Sequence, residues 1–326
     1  MSRTLGVAVR LLGGAAILGC LVWRVGAGPF LDGLRAVDAW SLILAGLLGA
    51  LTTVCAAWRW AIVARGLGIT LRLPQAIAAS YRAQFLNTAL PGGVLGDVHR
   101  GVRHGQDTGD VARALRAVVW ERTAGQFVQV LIAIAILSAV PSPFQHAMPV
   151  VLASAIGICV ILALVLHVYA RKTTGRMARL LRIAAADVRF GVLARDAWPR
   201  VAVASVIVVA GHAATFFVAA HAAGANAGTG LLAAIALLAL LAGSVPTNVG
   251  GWGPREGVAA WAFAAAGLGA AQGLAVATTY GALVMAATLP GMLVLIINRR
   301  RPTRTGPAQQ PEPAPATVAV GGPARG

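Results

Sequence analysis

Long runs of apolar residues, separated by short basic segments, dominate this sequence. A run of about 18 or more apolar residues is long enough to cross the hydrocarbon core of a bilayer as an α-helix. We therefore expect an all-α polytopic membrane protein. The pattern predicts about six full transmembrane helices, near residues 5–23, 40–62, 115–140, 148–170, 201–223 and 273–297.

Two other apolar segments are too short or too interrupted to cross the bilayer once. Residues 74–90 stop at a Pro-Gly-Gly break, and basic residues flank the segment on both sides. Residues 231–268 are interrupted between Pro246 and Gly253, and counting sides places both of their ends on the opposite face. Broken helices that enter from facing sides are the sequence sign of an inverted repeat. The pattern thus predicts two opposed re-entrant helical hairpins in an inverted-repeat-like arrangement.

The placement of charge predicts the orientation of the chain. Of its 326 residues 58% are hydrophobic and 11% are charged, and the formal net charge is +17. The basic residues fall between the apolar runs, as the positive-inside rule requires, and form no folded basic module that would bind nucleic acid. We expect a protein of the cytoplasmic (inner or plasma) membrane with both termini in the cytoplasm. One domain is predicted over residues 1–298, followed by a disordered cytoplasmic tail over 299–326.

Shorter features add detail to this arrangement. Residues 29–38 predict an interfacial helix, and the sequence Trp58-Arg59-Trp60 is typical of an anchor at the membrane interface. The loop 171–200 holds eight Lys or Arg and two Asp, which favours either an amphipathic helix on an anionic leaflet or a bare solvated loop. His212 is expected to be a hydrogen-bonded packing residue. The three cysteines lack metal-ligand spacing, so neither a metal nor a cofactor is predicted.

The two helix breaks share one chemistry. Each contains a proline that ends a helix, and glycines that let the backbone approach a ligand or another helix. A charged pair follows each break, Asp97 with Arg100 and Arg255 with Glu256. The predicted backbone breaks are Pro91, Gly92, Gly93, Gly96, Pro246, Gly250, Gly251 and Gly253.

Polar and ionisable side chains near these breaks are the candidate substrate-binding residues. Charges inside a bilayer are costly unless protein or a water-filled cavity surrounds them, and guanidinium groups suit phosphate or carboxylate. We expect the arginines to hold a lipid phosphate and the carboxylates to act as counter-charges. The alternative is that these charges only pair with one another and fix the fold. The candidates are Arg82, Asn87, Asp97, Arg100, Glu121, Arg122, Arg255 and Glu256.

Three motifs carry a resemblance to a known family. They are Asn87-x-x-x-Pro91-Gly92-x-x-x-Gly96-Asp97-x-x-Arg100, then Glu121-Arg122, then Pro246-x-x-x-Gly250-Gly251-x-Gly253-x-Arg255-Glu256. With them, over about residues 5–298, the chain resembles the flippase-like transmembrane domain of lysylphosphatidylglycerol synthases. The resemblance implies that an anionic or aminoacylated phospholipid, or a lipid-linked substrate, moves between leaflets. Relatives often carry a basic residue in the last span, where this chain has Tyr280 and Gly281.

Other functions stay open at this point. In the synthases a soluble C-terminal domain transfers lysine to the lipid, and we expect no such transfer here, because the sequence after the last span predicts a disordered tail. A non-transporting membrane protein could dock a separate lipid-modifying enzyme through its loop 171–200. A lipid glycosyl or acyl transferase could use Asp97, Glu121 or Glu256 as a base. His99 and His104 could titrate, but their spacing is poor for one helical face.

Overall fold

The computed structural model describes residues 19–90, 93–145, 175–244 and 252–299. Most of the first predicted span, the span predicted at 148–170 and the tail lie outside the described residues. So do the predicted breaks Pro91, Gly92, Pro246, Gly250 and Gly251.

The regular elements of the described residues are helices. In chain order they are α1 (Gly28–Arg35), α2 (Ala39–Gly66), α3 (Leu73–Ala89), α4 (Leu95–Thr108), α5 (Val111–Ala139), α6 (Arg176–Asp187), α7 (Trp198–Ala222), α8 (Thr229–Gly243), α9 (Pro254–Ala265), α10 (Ala270–Ala287) and α11 (Pro290–Arg299). Within the described ranges, four segments are long and apolar enough to cross a membrane: α2, α5, α7 and the stretch Ala270–Ile297. They confirm an all-helical, multi-pass membrane protein and match four of the predicted spans.

Local signals explain where the helix ends differ from prediction. α5 begins at Val111 and not at 115, because Asp110 Oδ1 accepts a hydrogen bond from the backbone N–H of Arg113 at 2.9 Å and caps the helix. The last span is two helices and not one. Thr288 and Leu289 form a turn before Pro290, whose ring nitrogen cannot donate the hydrogen bond that would continue α10.

α3 and α4 form the first helical hairpin. At its tip, Asn87 Oδ1 accepts a hydrogen bond from the backbone N–H of Gly96 at 2.7 Å. Gly96 also packs against the backbone of Ala83, which lies one helical turn before Asn87 on α3. A side chain at position 96 would collide with the Ala83 carbonyl. At the open end, Gln75 and Asp107 line the same cavity. The two helices therefore run antiparallel on either side of the break.

α8 and α9 form the second hairpin. Their adjoining ends meet where a Cβ on Gly243 would lie 3.5 Å from Cβ of Arg255. The helices pack with α7 and α10 around a core that contains the fully buried side chains of Phe216, Ile235 and Phe263. This hairpin is thus held within the bundle by apolar burial.

The basic loop after residue 175 contains a helix that docks onto α5. α6 is followed by a π-helical turn over Val188–Val192, which confirms a helix over a bare loop. Asp187 Oδ2 accepts hydrogen bonds from Arg116 Nε at 2.7 Å and from Trp120 Nε1 at 3.2 Å. Near the N-terminal end of the described residues, α1 confirms a helix within the predicted stretch 29–38, although it ends earlier, at Arg35. Its Gly33 carbonyl accepts a hydrogen bond from Thr279 Oγ1 of α10 at 2.8 Å.

Candidate functional site

Glu121 lies at the centre of a group of buried ion pairs. Its side chain is 1% exposed on α5. Oε1 accepts hydrogen bonds from Arg59 Nε at 2.9 Å and Nη2 at 2.6 Å, and Oε2 accepts one from Arg100 Nη2 at 2.6 Å. Arg59 Nη1 also donates to Ser205 Oγ at 2.9 Å. One carboxylate thus pairs with arginines from two other helices, α2 and α4.

Asp97, at the start of α4, extends this group to Arg122, the residue that follows Glu121 in α5. Both of its carboxylate oxygens contact Arg122 Nη2, at 2.9 and 2.8 Å. Arg100 Nε lies 2.9 Å from Oδ1, although its N–H does not point at the oxygen well enough for a hydrogen bond. Asn87 Nδ2 donates to Oδ2 at 3.0 Å, so the residue that closes the hairpin tip also holds the carboxylate.

Together Arg59, Glu121, Arg100, Asp97 and Arg122 form what we call the ion-pair chain. It contains three arginines and two carboxylates, so its formal charge is 3 − 2 = +1. The side chains of Arg59, Glu121 and Arg100 are buried, whereas that of Arg122 is 51% exposed. The excess positive charge is therefore accessible at the Arg122 end.

Arg122 faces a cavity of about 830 Å³ that both hairpins line. We call it the Arg122 cavity. Val94 and Asp97 of the first hairpin line this cavity. So do Gly243, the last residue of α8 in the second hairpin, and Ser244, the residue after it. Across the cavity, Gln126 Nε2 of α5 donates a hydrogen bond to Ser244 Oγ at 2.9 Å. The two interrupted elements thus face one shared space.

The second hairpin carries its own buried ion pair. Glu256 Oε1 accepts hydrogen bonds from Arg255 Nε at 2.9 Å and from Arg255 Nη2, and Oε2 accepts one from the backbone N–H of Gly253 at 2.6 Å. The Arg255 guanidinium lies 4.9 Å from the ring centre of Tyr280 and 5.7 Å from that of Trp252. Gly253 has a φ of 122°, a conformation that favours glycine.

A smaller cavity of about 190 Å³ adjoins this pair. It shares Gly243 and Ser244 with the Arg122 cavity, and His212, Arg255 and Tyr280 line it. His212 Nδ1 and the Tyr280 hydroxyl are hydrogen-bonded at 3.0 Å, which confirms His212 as a hydrogen-bonded packing residue. His212 also lies within electrostatic reach of Arg59, Arg122 and Arg255.

The structure brings most of the candidate residues into these two groups. Five of them, Asn87, Asp97, Arg100, Glu121 and Arg122, lie in or against the ion-pair chain, and Arg255 pairs with Glu256. Arg82 lies apart: it lines a third cavity, on a different face of α4 from Asp97. No single site contains all eight.

The interpretation of Arg59 as an interfacial anchor is wrong. Arg59 is buried in the ion-pair chain, and Trp60 is fully buried with its ring 4.5 Å from the Arg100 guanidinium carbon. A sequence signal for this was available, because the apolar run continues through 61–64 after Arg59. An arginine seven residues inside the end of a span needs a partner in the protein interior.

Comparison with known protein families assigns the chain to one of them. A family model described as the lysylphosphatidylglycerol synthase TM region matches residues 6–291, which is most of the chain. The chain belongs to this family. No curated protein and no solved structure matches it at a significant level. Membership in the lysylphosphatidylglycerol synthase TM family links the protein to membrane lipids.

The structure gives a physical reason for the uncharged last span of this family member. A Cβ on Gly281 would lie 2.6 Å from Arg255 Nη2 and 3.1 Å from the Trp252 ring. The guanidinium of Arg255 therefore occupies the space beside α10 that a side chain at 281 would fill.

Among the described residues, no group of three or more His, Cys, Asp or Glu is arranged to hold a metal ion.

Proposed function

We propose that this protein binds the anionic headgroup of a membrane lipid at Arg122 and moves the lipid between the leaflets of the cytoplasmic membrane. Membership in the lysylphosphatidylglycerol synthase TM family supports a role in lipid handling. The observation that carries the proposal is the half-exposed side chain of Arg122 in a cavity lined by both hairpins.

The charge of the ion-pair chain supports an anionic ligand. A net positive charge in a region of low dielectric is costly unless a counter-charge balances it. Asp97 satisfies only part of Arg122, whose guanidinium has five N–H donors, and Asp97 also neutralises Arg100. One phosphate or carboxylate group on the exposed side of Arg122 would bring the formal charge to zero.

The walls of the Arg122 cavity suit the rest of a lipid. Its volume of about 830 Å³ is large for a headgroup alone, and most of the lining is aliphatic. Val98 and Val119 both line it and are largely exposed. A lipid could thus place its charged group on Arg122 and its glycerol and acyl chains along these valines, which water would solvate poorly.

The contacts around the Arg122 cavity support a change in the side from which the cavity opens. The first hairpin is closed at its tip by the hydrogen bond between Asn87 and Gly96, and the bond from the Gly253 N–H to Glu256 fixes the start of α9. Across the cavity, by contrast, the exposed hydrogen bond from Gln126 to Ser244 is readily exchanged for water. Rocking of one hairpin against the other is the motion expected of opposed broken helices. The sequence has no Walker A motif, so we propose passive or gradient-coupled movement.

Reconstitution into vesicles tests the proposal. Fluorescent phosphatidylglycerol in the inner leaflet becomes reducible by external dithionite only after it crosses the bilayer. We expect the wild-type chain to accelerate the loss of fluorescence over protein-free vesicles. Arg122→Gln should slow this by about tenfold or more, because a charge-assisted hydrogen bond contributes about 1.5–3 kcal/mol.

Arg113→Gln is the matched control. Arg113 lies on the same helix, pairs with Asp110 at 3.1 Å and is 45% exposed, but it does not line the Arg122 cavity. It should keep the wild-type rate. Equal rates for wild type and Arg122→Gln, or no acceleration by the wild type, would overturn the proposal.

A further inference from the structure

A third cavity, of about 410 Å³, lies between α3 and α4 next to the segment that joins α2 to α3. Its lining includes Arg82 of α3 and Arg100, Arg103 and His104 of α4. Asp97 and Val98 of α4 line the Arg122 cavity instead, so the two spaces are on different faces of this helix. We call this space the Arg82 cavity.

Arg82 is buried without a counter-charge. The residue is 5% exposed, and within the described part of the chain no carboxylate lies within ion-pair distance of it. Its Nε has no hydrogen-bond partner there either. Buried arginines are normally paired, because removal of a guanidinium from water is costly. An arginine that lines a cavity and lacks a partner is therefore suited to bind an anion that enters the cavity.

Two more polar atoms beside the cavity lack partners among the described residues. They are Trp60 Nε1 and His104 Nε2. The indole nitrogen can only donate, and the imidazole nitrogen donates in one of its tautomers. Two N–H groups with no acceptor at one cavity, and an imidazole nitrogen that can become a third donor, indicate that the missing component is rich in oxygen acceptors.

The charge of the lining also favours an anion. Arg100 lines the cavity but is bound to Glu121, which leaves Arg82 and Arg103 as the other cations and Asp107 as the one carboxylate in the described lining. Burial lowers the pKa of His104, although Asp107 opposes this, and the ring is therefore neutral at pH 7. The cavity thus keeps an excess positive charge.

We propose that the Arg82 cavity is a second anion site, which binds a phosphate group through Arg82 and Arg103. This inference does not depend on lipid movement through the Arg122 cavity. The phosphate could belong to a soluble phosphate ester or to a phospholipid headgroup, because both present the same oxygens to the two guanidinium groups.

Calorimetric titration of the purified full-length chain in detergent tests the site. The probes are inorganic phosphate and short-chain dihexanoyl phosphatidylglycerol, titrated separately. Binding of phosphate supports a site for soluble phosphate groups, and binding of the lipid alone supports a headgroup site. In either case Arg82→Gln should weaken the binding about tenfold or more. Arg65→Gln should leave it unchanged, since Arg65 is exposed and does not line the cavity.

Two further variants keep the result decisive. Arg103→Gln should also weaken binding, and it serves if Arg82→Gln does not fold, because Arg103 is only partly buried. Arg122→Gln should retain the binding assigned to Arg82, which separates this inference from the proposed function. Absence of binding for both probes, or binding that Arg122→Gln abolishes and Arg82→Gln leaves intact, would show that the inference is wrong.

Discussion

Gly125 of α5 leaves the space that Arg59 of α2 occupies. A Cβ on Gly125 would lie 2.6 Å from Arg59 Nη1 and 2.7 Å from its guanidinium carbon. Gly125 follows Glu121 by one helical turn and so lies on the same face of α5. The guanidinium crosses this bare turn to reach the carboxylate. Gly281 has the same relationship to Arg255 in the second hairpin, so each of these two buried arginines depends on a glycine in a neighbouring helix.

The first prediction concerns this glycine. Gly125→Ala should destabilise the fold by about 2 kcal/mol, because the new methyl group overpacks the site and displaces Arg59 from Glu121. The measurement is reversible chemical unfolding in detergent. Gly46→Ala in α2 is the control: nothing lies within 4 Å of its added Cβ, and alanine favours a helix by up to about 1 kcal/mol. Equal effects for the two variants would contradict the assigned role of Gly125.

Glu121→Gln should be more damaging. The substitution keeps the shape of the side chain but removes the charge that two buried arginines share, and an unpaired buried charge costs about 3–5 kcal/mol. Unfolding in detergent again measures the loss. Asp32→Asn removes an exposed pair whose atoms are 3.8 Å apart, and no measurable change is expected. A similar stability for Glu121→Gln and wild type would show that Arg59 and Arg100 do not need this carboxylate.

Asp187→Asn should release α6 from the bundle. The loss of the charged partner weakens the bonds to Arg116 and Trp120, so the loop should open more often. Limited trypsin digestion measures this as faster cleavage after Arg189. Asp196→Asn, an exposed position in the same loop, should not change the cleavage rate. Unchanged cleavage in Asp187→Asn would mean that other contacts hold the helix.

The two hairpins should expose their ends on opposite sides of the membrane. In a cysteine-free background, single cysteines at Thr70 and Asp107 flank the first hairpin, and cysteines at Asn226 and Gly267 flank the second. All four positions are exposed. A membrane-impermeant thiol reagent added to sealed, right-side-out vesicles should label the second pair and not the first. Labelling of one member in each pair would instead mean that the hairpins cross the bilayer.

The sequence predicts the helices better than it predicts their contacts. Apolar runs specify α2, α5 and α7, because burial in lipid requires a continuous hydrophobic length. Asp97 and Arg100 could be predicted as site residues because they lie close to a Pro-Gly break. Charge beside broken backbone is costly in a membrane without partners. These rules act on local sequence, and the structure bears out the pairing of the two residues.

Pairing between distant helices was harder to predict. Arg59 and Glu121 are 62 positions apart in sequence. The packing of α2 against α5 and α7 brings them together, and the periodicity of a single helix does not predict which helices pack against each other. Arg82 shows the opposite case. It lies near the first break in sequence, yet the rotation of α3 directs it to another cavity than the one that contains Arg122.

The uneven count of charges in the ion-pair chain has a consequence for energetics across a polarised membrane. An unliganded centre with three guanidinium groups and two carboxylates is positive, whereas the same centre with a monoanionic lipid bound is neutral. Voltage acts on net charge, by about 2.3 kcal/mol per elementary charge per 100 mV. The return of the empty carrier, rather than the passage of its cargo, would then be the step that responds to membrane potential.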